Sequence, residues 1–273
     1  MSAGIKISIV TSVKDGQPFF QDALSSITAQ SYENWEHIIV DAGSRDGSLE
    51  RAKSAAEMDR RVHVFERPGE PLYASLDWGL SQTEGEIIAW LNADDLYTPW
   101  AFEIIAQHFE ENGTNWITGL PGCWDSAGRL RFVRPQAWYP QKWIAKGYFH
   151  LDGLGFLQQE SMFFAKSLFT ALSANQRALF REQKLAGDFL LWKLFAERSP
   201  LMVIPSVIGG FRKHANNISV INIEDYMAEA RSLGAKNLPF PGRAFYRRLY
   251  LLAAAARQLS VVGQYDISVS NQE

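Results

Sequence analysis

Residues 24–48 read LSSITAQSYENWEHIIVDAGSRDGS, and this stretch carries most of the information about the fold. Trp35 to Val40 is predicted to be a buried strand that ends at Asp41. Asp46 follows in a Gly-Ser turn and is predicted to cap the next helix, because Asp is a favoured N-cap residue. A strand, a polar turn and a helix in this order are typical of α/β proteins.

Strand-like and helix-like segments alternate through the first half of the chain. The strand candidates are mostly continuous apolar runs, which indicates strands buried on both faces of a parallel sheet. We therefore predict an α/β fold with a Rossmann-like, mostly parallel sheet flanked by helices. The other strand candidates of this half are Ile5 to Val13, Arg61 to Glu66 and Gly85 to Leu91.

The second half of the chain is less regular. Lys236 to Gly242 contains two prolines and a glycine and is predicted to be a linker. We expect a main domain over residues 1–235 and a C-terminal helical appendage, a helix and tail, over residues 236–273. Further strands are predicted within 115–119, 123–133, 159–164 and 202–211, and further helices within 187–198, 224–233 and 243–259.

Composition narrows the class of protein. The chain has 273 residues and a formal net charge of -3, which argues against a protein that binds the nucleic-acid backbone. Its single cysteine, Cys123, excludes an internal disulfide and a multi-cysteine zinc site. The N-terminus lacks a signal-peptide pattern, and no apolar run approaches the roughly 20 residues of a membrane-spanning helix. We expect a cytoplasmic protein, with peripheral contact at the inner face of the cell membrane at most.

Polar residues follow three of the predicted strands. In open α/β sheets, ligands bind beyond the carboxyl ends of the strands. Those ends carry Thr11 to Val13, Asp41, and Asn92 to Asp95. The carboxylate of Asp41 can accept a hydrogen bond from a nucleobase or a ribose hydroxyl. The two aspartates of the last stretch can ligate a hard divalent cation, although such a pair also occurs in plain solvated turns.

The sequence lacks two common phosphate-binding loops. No Gly-x-Gly-x-x-Gly follows the first strand, and there is no Gly-Lys-Ser/Thr loop. A bound diphosphate would therefore need another source of positive charge. A cation held by Asp94 is the natural candidate.

Five stretches resemble family 2 glycosyltransferases with the GT-A fold, especially bacterial enzymes of surface-polysaccharide and lipopolysaccharide assembly. The resemblance extends over roughly residues 5 to 220, and the stretch at 24–48 is its most specific part. The other four parts are ISIVTSVKDG (7–16), GEIIAWLNADDLYTP (85–99), GFLQQESMFFAKSLF (155–169) with AGDFLLWKLFA (186–196), and GGFRKHANNIS (209–219).

This resemblance implies roles for individual residues. Residues 1–97 would form the nucleotide-binding half and residues 98–235 the acceptor half. Asp94 would bind Mn²⁺ or Mg²⁺, and Asn92 stands where the family has the first aspartate of its Asp-x-Asp motif. The nucleotide-sugar-binding residues would be Thr11, Val13, Asp41, Asp46, Asn92, Ala93 and Arg212.

The acceptor side is implied in the same way. Asp188 would be the catalytic base, although its position also suits the N-cap of a helix. Gln159 and Glu160 would line the acceptor pocket. His214 would ligate the metal or contact a phosphate, and Arg212 would close over the diphosphate. Without the resemblance, His214 would be predicted to be an ordinary surface residue.

The implied function is an inverting transfer of a sugar from a nucleotide-diphosphate sugar to a hydroxyl of a saccharide or lipid-linked saccharide. Two alternatives remain open. Asn92 favours a non-catalytic scaffold that binds nucleotide sugars with the same fold. A nucleotidyltransferase is disfavoured because Lys14 to Gln17 does not form the glycine-rich, basic loop of that class.

The C-terminal segment 243–259 has two interpretations. Its apolar stripe is flanked by arginines, which is typical of a helix lying on an anionic membrane surface. A helix that packs on the main domain and leaves its arginines in solvent fits the pattern equally well. The stripe consists of Phe245, Leu249, Leu252 and Ala256, and the arginines are Arg243, Arg247, Arg248 and Arg257.

Overall fold

The computed structural model describes residues 4–135, 137–246 and 248–249, except for the side chain of residue 219. Strands and helices alternate in the first half, as predicted. These elements are β1 (Ile7–Val13), α1 (Phe20–Thr28), β2 (Trp35–Asp41), α2 (Ser48–Met58), β3 (Val62–Glu66), α3 (Leu72–Gln82), β4 (Ile87–Trp90), β5 (Leu96–Tyr97) and α4 (Ala101–Asn112).

The second half adds short strands and further helices. They are β6 (Trp116–Thr118), β7 (Gly122–Trp124), β8 (Leu130–Val133), α5 (Gln141–Ala145), a 3₁₀ turn (Gln159–Ser161), β9 (Met162–Ala165), α6 (Lys166–Thr170), α7 (Ala174–Arg181), α8 (Gly187–Ala196), β10 (Met202–Val203), β11 (Gly209–Arg212), α9 (Ile218–Ile221) and α10 (Ile223–Ser232). Of these elements, β6 to β11, α8 and α10 overlap the predicted segments, whereas the helices at 141–145, 166–170, 174–181 and 218–221 were not predicted.

The main sheet has seven strands in the order β10-β6-β9-β4-β1-β2-β3. All neighbours are parallel except β9, which pairs antiparallel with both β4 and β6. The predicted mostly parallel sheet is therefore confirmed, with one reversed strand. The chain reverses its direction of travel across the sheet between β1 and β4, which is where α/β proteins of this type bind ligands.

Each face of the main sheet is covered by helices, because both faces of its strands are apolar. On one face Val10, Ile88 and Trp90 pack in a core with residues of α3 and α8. On the other face, Ile9 and Ala89 pack in a second core with residues of α1 and α4. Burial on both faces explains the continuous apolar runs in the sequence.

A smaller four-stranded sheet, in the order β5-β11-β7-β8, lies beside the polar ends of the main sheet. β5 follows the Asn92–Asp95 stretch directly and pairs antiparallel with β11. This pairing brings the C-terminal stretch 209–217 next to the aspartates that follow β4.

Aromatic stacking fixes the position of α8. The Trp192 ring of this helix stacks on Trp90 of β4, with ring centroids 5.3 Å apart and an angle of 12° between planes. The Trp116 ring of β6 lies 5.9 Å from Trp192 on the same helix. Asp188 lies one turn before Trp192, so this packing holds it near the end of β4.

Two predicted helix caps need correction. Asp46 is not an N-cap residue, because α2 begins at Ser48 and its N-cap is Gly47. Asp188 lies within the first turn of α8, whose N-cap is Ala186. Neither aspartate is therefore explained by the simple capping alternative.

The C-terminal segment is described only at its start. Residues 242–246 are helical, and most of the predicted helix at 243–259 lies outside the described residues. Tyr246 is buried, whereas Phe245 and Leu249 of the predicted apolar stripe are exposed. No helix within the described ranges combines the length and the apolar character needed to cross a bilayer. The predicted domain division at residues 97/98 and 235/236 stays a prediction.

The buried carboxylate of Asp77 ties α3 to α7. It accepts hydrogen bonds from Arg177 Nε at 2.7 Å and Arg181 Nη1 at 3.1 Å. We expect Asp77→Ala to lower the free energy of unfolding by about 1–3 kcal/mol, because a buried pair loses its acceptor. The midpoint of urea unfolding measures this loss.

Asp152→Ala is the matched control, because Asp152 pairs with Arg231 at 3.2 Å but is about half exposed. Exposed ion pairs contribute little, so its midpoint should stay close to that of the wild type. Equal midpoints for the two variants would contradict the structural role of Asp77.

Candidate active site

A cavity of about 630 Å³ opens at the ends of β1 and β2. Asp41, the last residue of β2, lines it. Asp41 Oδ1 accepts hydrogen bonds from the backbone N–H groups of Gly43 and Ser44 at 2.9 and 3.0 Å. Asp41 Oδ2 is buried and has no partner among the described residues. A buried carboxylate oxygen without a donor is costly, so a ligand hydroxyl or N–H group would stabilise it.

The side chains of Thr11 and Val13 do not line this cavity, which corrects the prediction for both residues. Both are about 1% exposed. Thr11 Oγ1 lies 2.9 Å from His37 Nε2 inside the sheet. The next residues, Lys14 and Asp15, line the cavity in their place. Which side chains line the cavity depends on the direction in which each one points at the end of β1. The sequence pattern does not predict that direction.

Asp46 braces the loops around the cavity rather than lining it. Its Oδ2 accepts from the backbone N–H of Gln17 at 2.7 Å, and its Oδ1 accepts from that of Ser48 at 3.0 Å. These bonds lower the pKa of its carboxyl, against the opposing effect of burial. Asp46 therefore connects the β1–α1 loop to the start of α2, and its contact with a nucleotide stays a prediction.

Asp94 and His214 form a pair although they lie far apart in the sequence. His214 Nε2 is 2.9 Å from Asp94 Oδ2. Asn217 Nδ2 also donates to Asp94 Oδ2, at 3.2 Å, and to the carbonyl of Arg212 at 3.0 Å. The side chain of Asp94 is 31% exposed, so it remains open to a ligand. Asn217 was missed by the sequence analysis, although it belongs to the quoted stretch 209–219.

Asp95 differs from its neighbour in being buried inside the fold. It accepts from the backbone N–H of Arg212 at 2.8 Å and from Asn92 Nδ2 at 2.9 Å. Burial, with added repulsion from Asp94 and Glu160, raises its pKa well above the ordinary value. Asp95 therefore holds β11 and the Asn92 loop together, and only Asp94 is presented as a metal ligand.

Gln159 is used inside the fold, which corrects its predicted place in an acceptor pocket. Its Nε2 donates to the carbonyl of Trp90 at 2.6 Å, and its Oε1 accepts from Asn92 Nδ2 at 3.1 Å. Both ends of the amide are occupied. The Asn92 amide group is likewise engaged with protein, so the substitution at this position has a structural explanation. Ala93 is partly exposed beside it.

Arg212 is fully buried, and its Nε and Nη2 have no partner among the described residues, so its contact with a diphosphate stays a prediction. Its Nη1 donates to Asp22 at 2.8 Å, and its guanidinium lies 4.9 Å from the centre of the Phe19 ring. The centre of the His214 ring lies 4.3 Å from the centre of the same Phe19 ring. Arg212 thus ties β11 to α1 and supports the loop that carries His214.

Glu160 and Asp188 are buried titratable carboxyl groups, and Glu160 interacts electrostatically with both Asp188 and Asp94. Burial raises the pKa of Glu160 to about 7, and the charges of Asp188 and Asp94 add to this effect. Burial raises the pKa of Asp188 to about 6. A carboxyl group with a pKa near neutrality can accept a proton and release it again at physiological pH.

Three residues outside α8 hold Asp188 in place. The Tyr226 hydroxyl of α10 donates to Asp188 Oδ1 at 3.3 Å. Glu229, one turn later, accepts from the backbone N–H groups of residues 184–186 at 3.0 to 3.2 Å and so fixes the loop before α8. Tyr73 packs so closely that a Cβ atom on Gly187 would lie 2.5 Å from its ring. The sequence offered no local signal for these contacts.

Asp94 and His214 fit a divalent cation. Two adjacent ligands on an octahedral ion, each about 2.1 Å from it, lie about 3 Å apart, which agrees with the 2.9 Å separation. Among the described residues no group of three or more metal-binding side chains is present. A site with Asp94 and His214 as its protein ligands suits an ion that also takes waters and substrate phosphates as ligands. His214 Nδ1 accepts from the Asn216 N–H at 3.2 Å, so ligation through Nε2 would require the other tautomer.

Known relatives of this chain are named glycosyltransferases. An uncharacterized glycosyltransferase from Haemophilus influenzae is 21% identical over 97% of this chain and 82% of its own length. The putative glycosyltransferase EpsE of Bacillus subtilis is 35% identical over 38% of each chain. An uncharacterized glycosyltransferase of Rickettsia felis is 27% identical over 49% of this chain, and the match covers 23% of the length of that protein.

Solved structures share the fold at low identity. S. aureus TarS 1-349 in complex with UDP-GlcNAc is 13% identical, with a TM-score of 0.58 over 91% of this chain and 66% of that chain. The mannosyltransferase PcManGT from Pyrobaculum calidifontis, in complex with GDP-Man and Mn²⁺, is 14% identical. Its TM-score is 0.60 over 96% of this chain and 76% of that chain.

A family comparison covers the part of the chain that contains the cavity and the Asp94 loop. The model of glycosyl transferase family 2 matches residues 8–169, which is more than half of the chain. The likeness to the solved glycosyltransferases confirms the predicted GT-A fold. The chain therefore belongs to glycosyl transferase family 2.

Proposed function

We propose that this protein is an inverting, metal-dependent glycosyltransferase that moves a sugar from a nucleoside-diphosphate sugar to an acceptor hydroxyl. The observation that carries the proposal is Asp188, a carboxyl group whose pKa is raised to about 6 and which interacts electrostatically with the Glu160 carboxyl beside Asp94. This arrangement combines a proton acceptor and a cation site at one edge of the sheet.

The donor is bound by two parts of this edge. Asp41, with one carboxylate oxygen unpartnered, is assigned to a hydroxyl or N–H group of the nucleoside. Asp94 and His214 are assigned to a divalent ion, Mn²⁺ or Mg²⁺. Bound there, the ion supplies Lewis-acid stabilisation of the diphosphate leaving group. The Mn²⁺ complex of the mannosyltransferase PcManGT supports this choice by analogy of fold.

Asp188 is assigned as the general base. Its carboxylate takes the proton of the acceptor hydroxyl while the acceptor oxygen attacks the anomeric carbon and the nucleoside diphosphate departs. A single displacement of this kind inverts the configuration at that carbon. Glu160, whose pKa is raised to about 7, is assigned to the acceptor side next to the base. Tyr226 and Glu229 position Asp188 without contacting substrate.

The acceptor is proposed to be a saccharide or lipid-linked saccharide of the bacterial cell surface, handled at the cytoplasmic face of the membrane. This part rests on the family resemblance of the sequence. The scaffold alternative loses its main support, because Asn92 is accounted for by its bonds to Asp95 and Gln159.

The donor site is tested by thermal shift with a series of nucleoside diphosphates, with and without Mn²⁺. We expect one diphosphate to raise the melting temperature by about 5 °C at high saturation, because ligand binding stabilises only the native state. Asp94→Ala should lose the metal-dependent part of this shift. Asp125→Ala is the control, because Asp125 lies in the turn between β7 and β8 and pairs with Arg129 at 3.0 Å. Absence of stabilisation by every diphosphate would contradict the donor site.

Removal of the base should stop turnover but not binding. Asp188→Asn keeps the shape of the side chain and cannot accept the proton, so kcat should fall by about 10² to 10⁴. The thermal shift with diphosphate and Mn²⁺ should remain. Release of nucleoside diphosphate from the donor, in the presence of a panel of saccharide acceptors, provides the rate. Turnover equal to that of the wild type would exclude Asp188 as the base.

The pH dependence of kcat/KM should report the ionisation of Asp188. Only the carboxylate accepts a proton, so activity should be lost as the pH falls below about 6. The Tyr226 hydrogen bond favours the charged form and lowers the pKa of Asp188. In Tyr226→Phe this acid limb should therefore move to higher pH, by about one unit or less.

Phe156→Leu is a useful control for this shift, since Phe156 packs on the Tyr226 ring at 5.5 Å without touching its hydroxyl. Its acid limb should coincide with that of the wild type. An unmoved limb in Tyr226→Phe would mean that another group controls the profile.

A further inference from the structure

An exposed surface rich in arginine and apolar side chains lies away from the nucleotide cavity. It begins at β8, an edge strand whose four residues are all exposed. Leu130 and Phe132 are 50% and 49% exposed, and Trp138 and Phe245 are 60% and 61% exposed. Leu130 and Phe132 project to one side of this edge strand and Arg131 and Val133 to the other, so the exposed edge presents both kinds of side chain. We call this edge with its surroundings the basic-apolar face. Its residues are Leu130, Phe132, Val133, Trp138, Phe245 and Leu249, with Arg129, Arg131, Arg134 and Arg248.

Contacts through Tyr246 join the two parts of the basic-apolar face. The Tyr246 hydroxyl donates to the carbonyl of Trp138 at 2.8 Å. Tyr246 and Arg134 also line one cavity of about 200 Å³. The start of the C-terminal helix is therefore packed beside the chain that leaves β8. Phe245, the residue before Tyr246, is exposed.

The charge of this face is positive although the chain as a whole has a net charge of -3. Asp125 Oδ2 forms ion pairs with Arg129 at 3.0 Å and with Arg131 at 3.7 Å. The single negative charge of Asp125 thus balances only one of these two arginines. Arg134 and Arg248 add further positive charge. A complementary partner must be anionic and must also accept apolar side chains.

We infer that the basic-apolar face docks on an anionic lipid surface. Arginines near such a surface are attracted by its negative potential, while Leu, Phe and Trp side chains enter the boundary between headgroups and acyl chains. The exposed Phe245 and Leu249 belong to the predicted apolar stripe of the C-terminal segment.

A second copy of the chain is a poorer partner for the same face. Pairing of β8 with its counterpart about a two-fold axis would bring the arginines of both strands close together. Like charges on facing strands are destabilising. Arginines on an edge strand also discourage strand-to-strand association in general.

Docking through this face would suit the proposed reaction, but the inference of docking does not depend on that reaction. Phe156 lines the same cavity as Tyr246, and its ring contacts Tyr226, which bonds to Asp188. The basic-apolar face therefore adjoins the side of the site that carries the proposed base. None of its residues lines the cavity next to Asp41.

Co-sedimentation of the full chain with vesicles tests this inference. We expect binding to mixed phosphatidylglycerol and phosphatidylcholine vesicles at low salt and little binding to pure phosphatidylcholine. Arg131→Ala with Arg134→Ala should weaken binding about 25-fold, since each arginine near an anionic surface contributes about fivefold. Leu130→Ser with Phe132→Ser should weaken it at least about tenfold, through loss of apolar burial.

Matched controls lie on α2 and just after it, far from the face in sequence and fold. Arg51→Ala with Arg60→Ala removes two exposed arginines, and Met58→Ser removes a side chain that is 88% exposed. Both should bind vesicles like the wild type, and all variants should keep the wild-type melting temperature. Equal binding to the two vesicle types, or variants of the face that bind like the controls, would overturn the inference. A change in oligomeric state in place of vesicle binding would assign the face to self-association.

Discussion

The stack of Trp90 on Trp192 is the contact on which the site depends. Trp90 ends β4 immediately before the Asn92–Asp95 stretch, and Trp192 lies one turn after Asp188 in α8. Their rings are 5.3 Å apart and nearly parallel. Both are about 2% exposed, so the contact is part of the main core. One buried aromatic pair therefore couples the loop that carries Asp94, the proposed metal ligand, to the helix that carries Asp188, the proposed base.

Carboxyl groups concentrate at this edge of the sheet at a cost to stability. Asp95, Glu160 and Asp188 all have raised pKa values, and burial is the largest cause in each case. Burying charge without a compensating cation is unfavourable, and such clusters are found where function requires them. A divalent ion at Asp94 would reduce the repulsion. Burial, rather than repulsion, is the main cause that raises the Asp188 pKa to about 6.

Neighbouring residues in one motif have separate tasks. Asp94 remains accessible and pairs with His214, whereas Asp95 is buried and bonds to the backbone of Arg212. Asn92 connects Asp95 to Gln159. The second, smaller sheet makes this division possible, because it lays β11 along β5 and closes the loop from one side. Chemical likeness within a short motif is therefore a poor guide to the role of each side chain.

The amino-acid sequence by itself determined the kind of sheet, the edge at which ligands bind, and the residues Asp41, Asp94 and Asp188 as candidates. The sheet, its edge, Asp41 and Asp94 follow from apolar runs and from polar residues at strand ends, which act over a few residues of chain. Asp188 was a candidate base only through the resemblance to family 2 glycosyltransferases. Only the tertiary structure decided which side chains face the cavity. In the structure, the side chains of Thr11 and Val13 are buried in the core.

Long-range contacts explain the remaining differences. His214 meets Asp94 across 120 residues, and Tyr226 meets Asp188 across 38. The partner of Arg212 Nη1 is Asp22, 190 residues away. Local patterns do not encode such pairings, because they arise when whole elements pack against one another. The sequence therefore determined the elements and the edge of the site, and packing decided the partners of each side chain there.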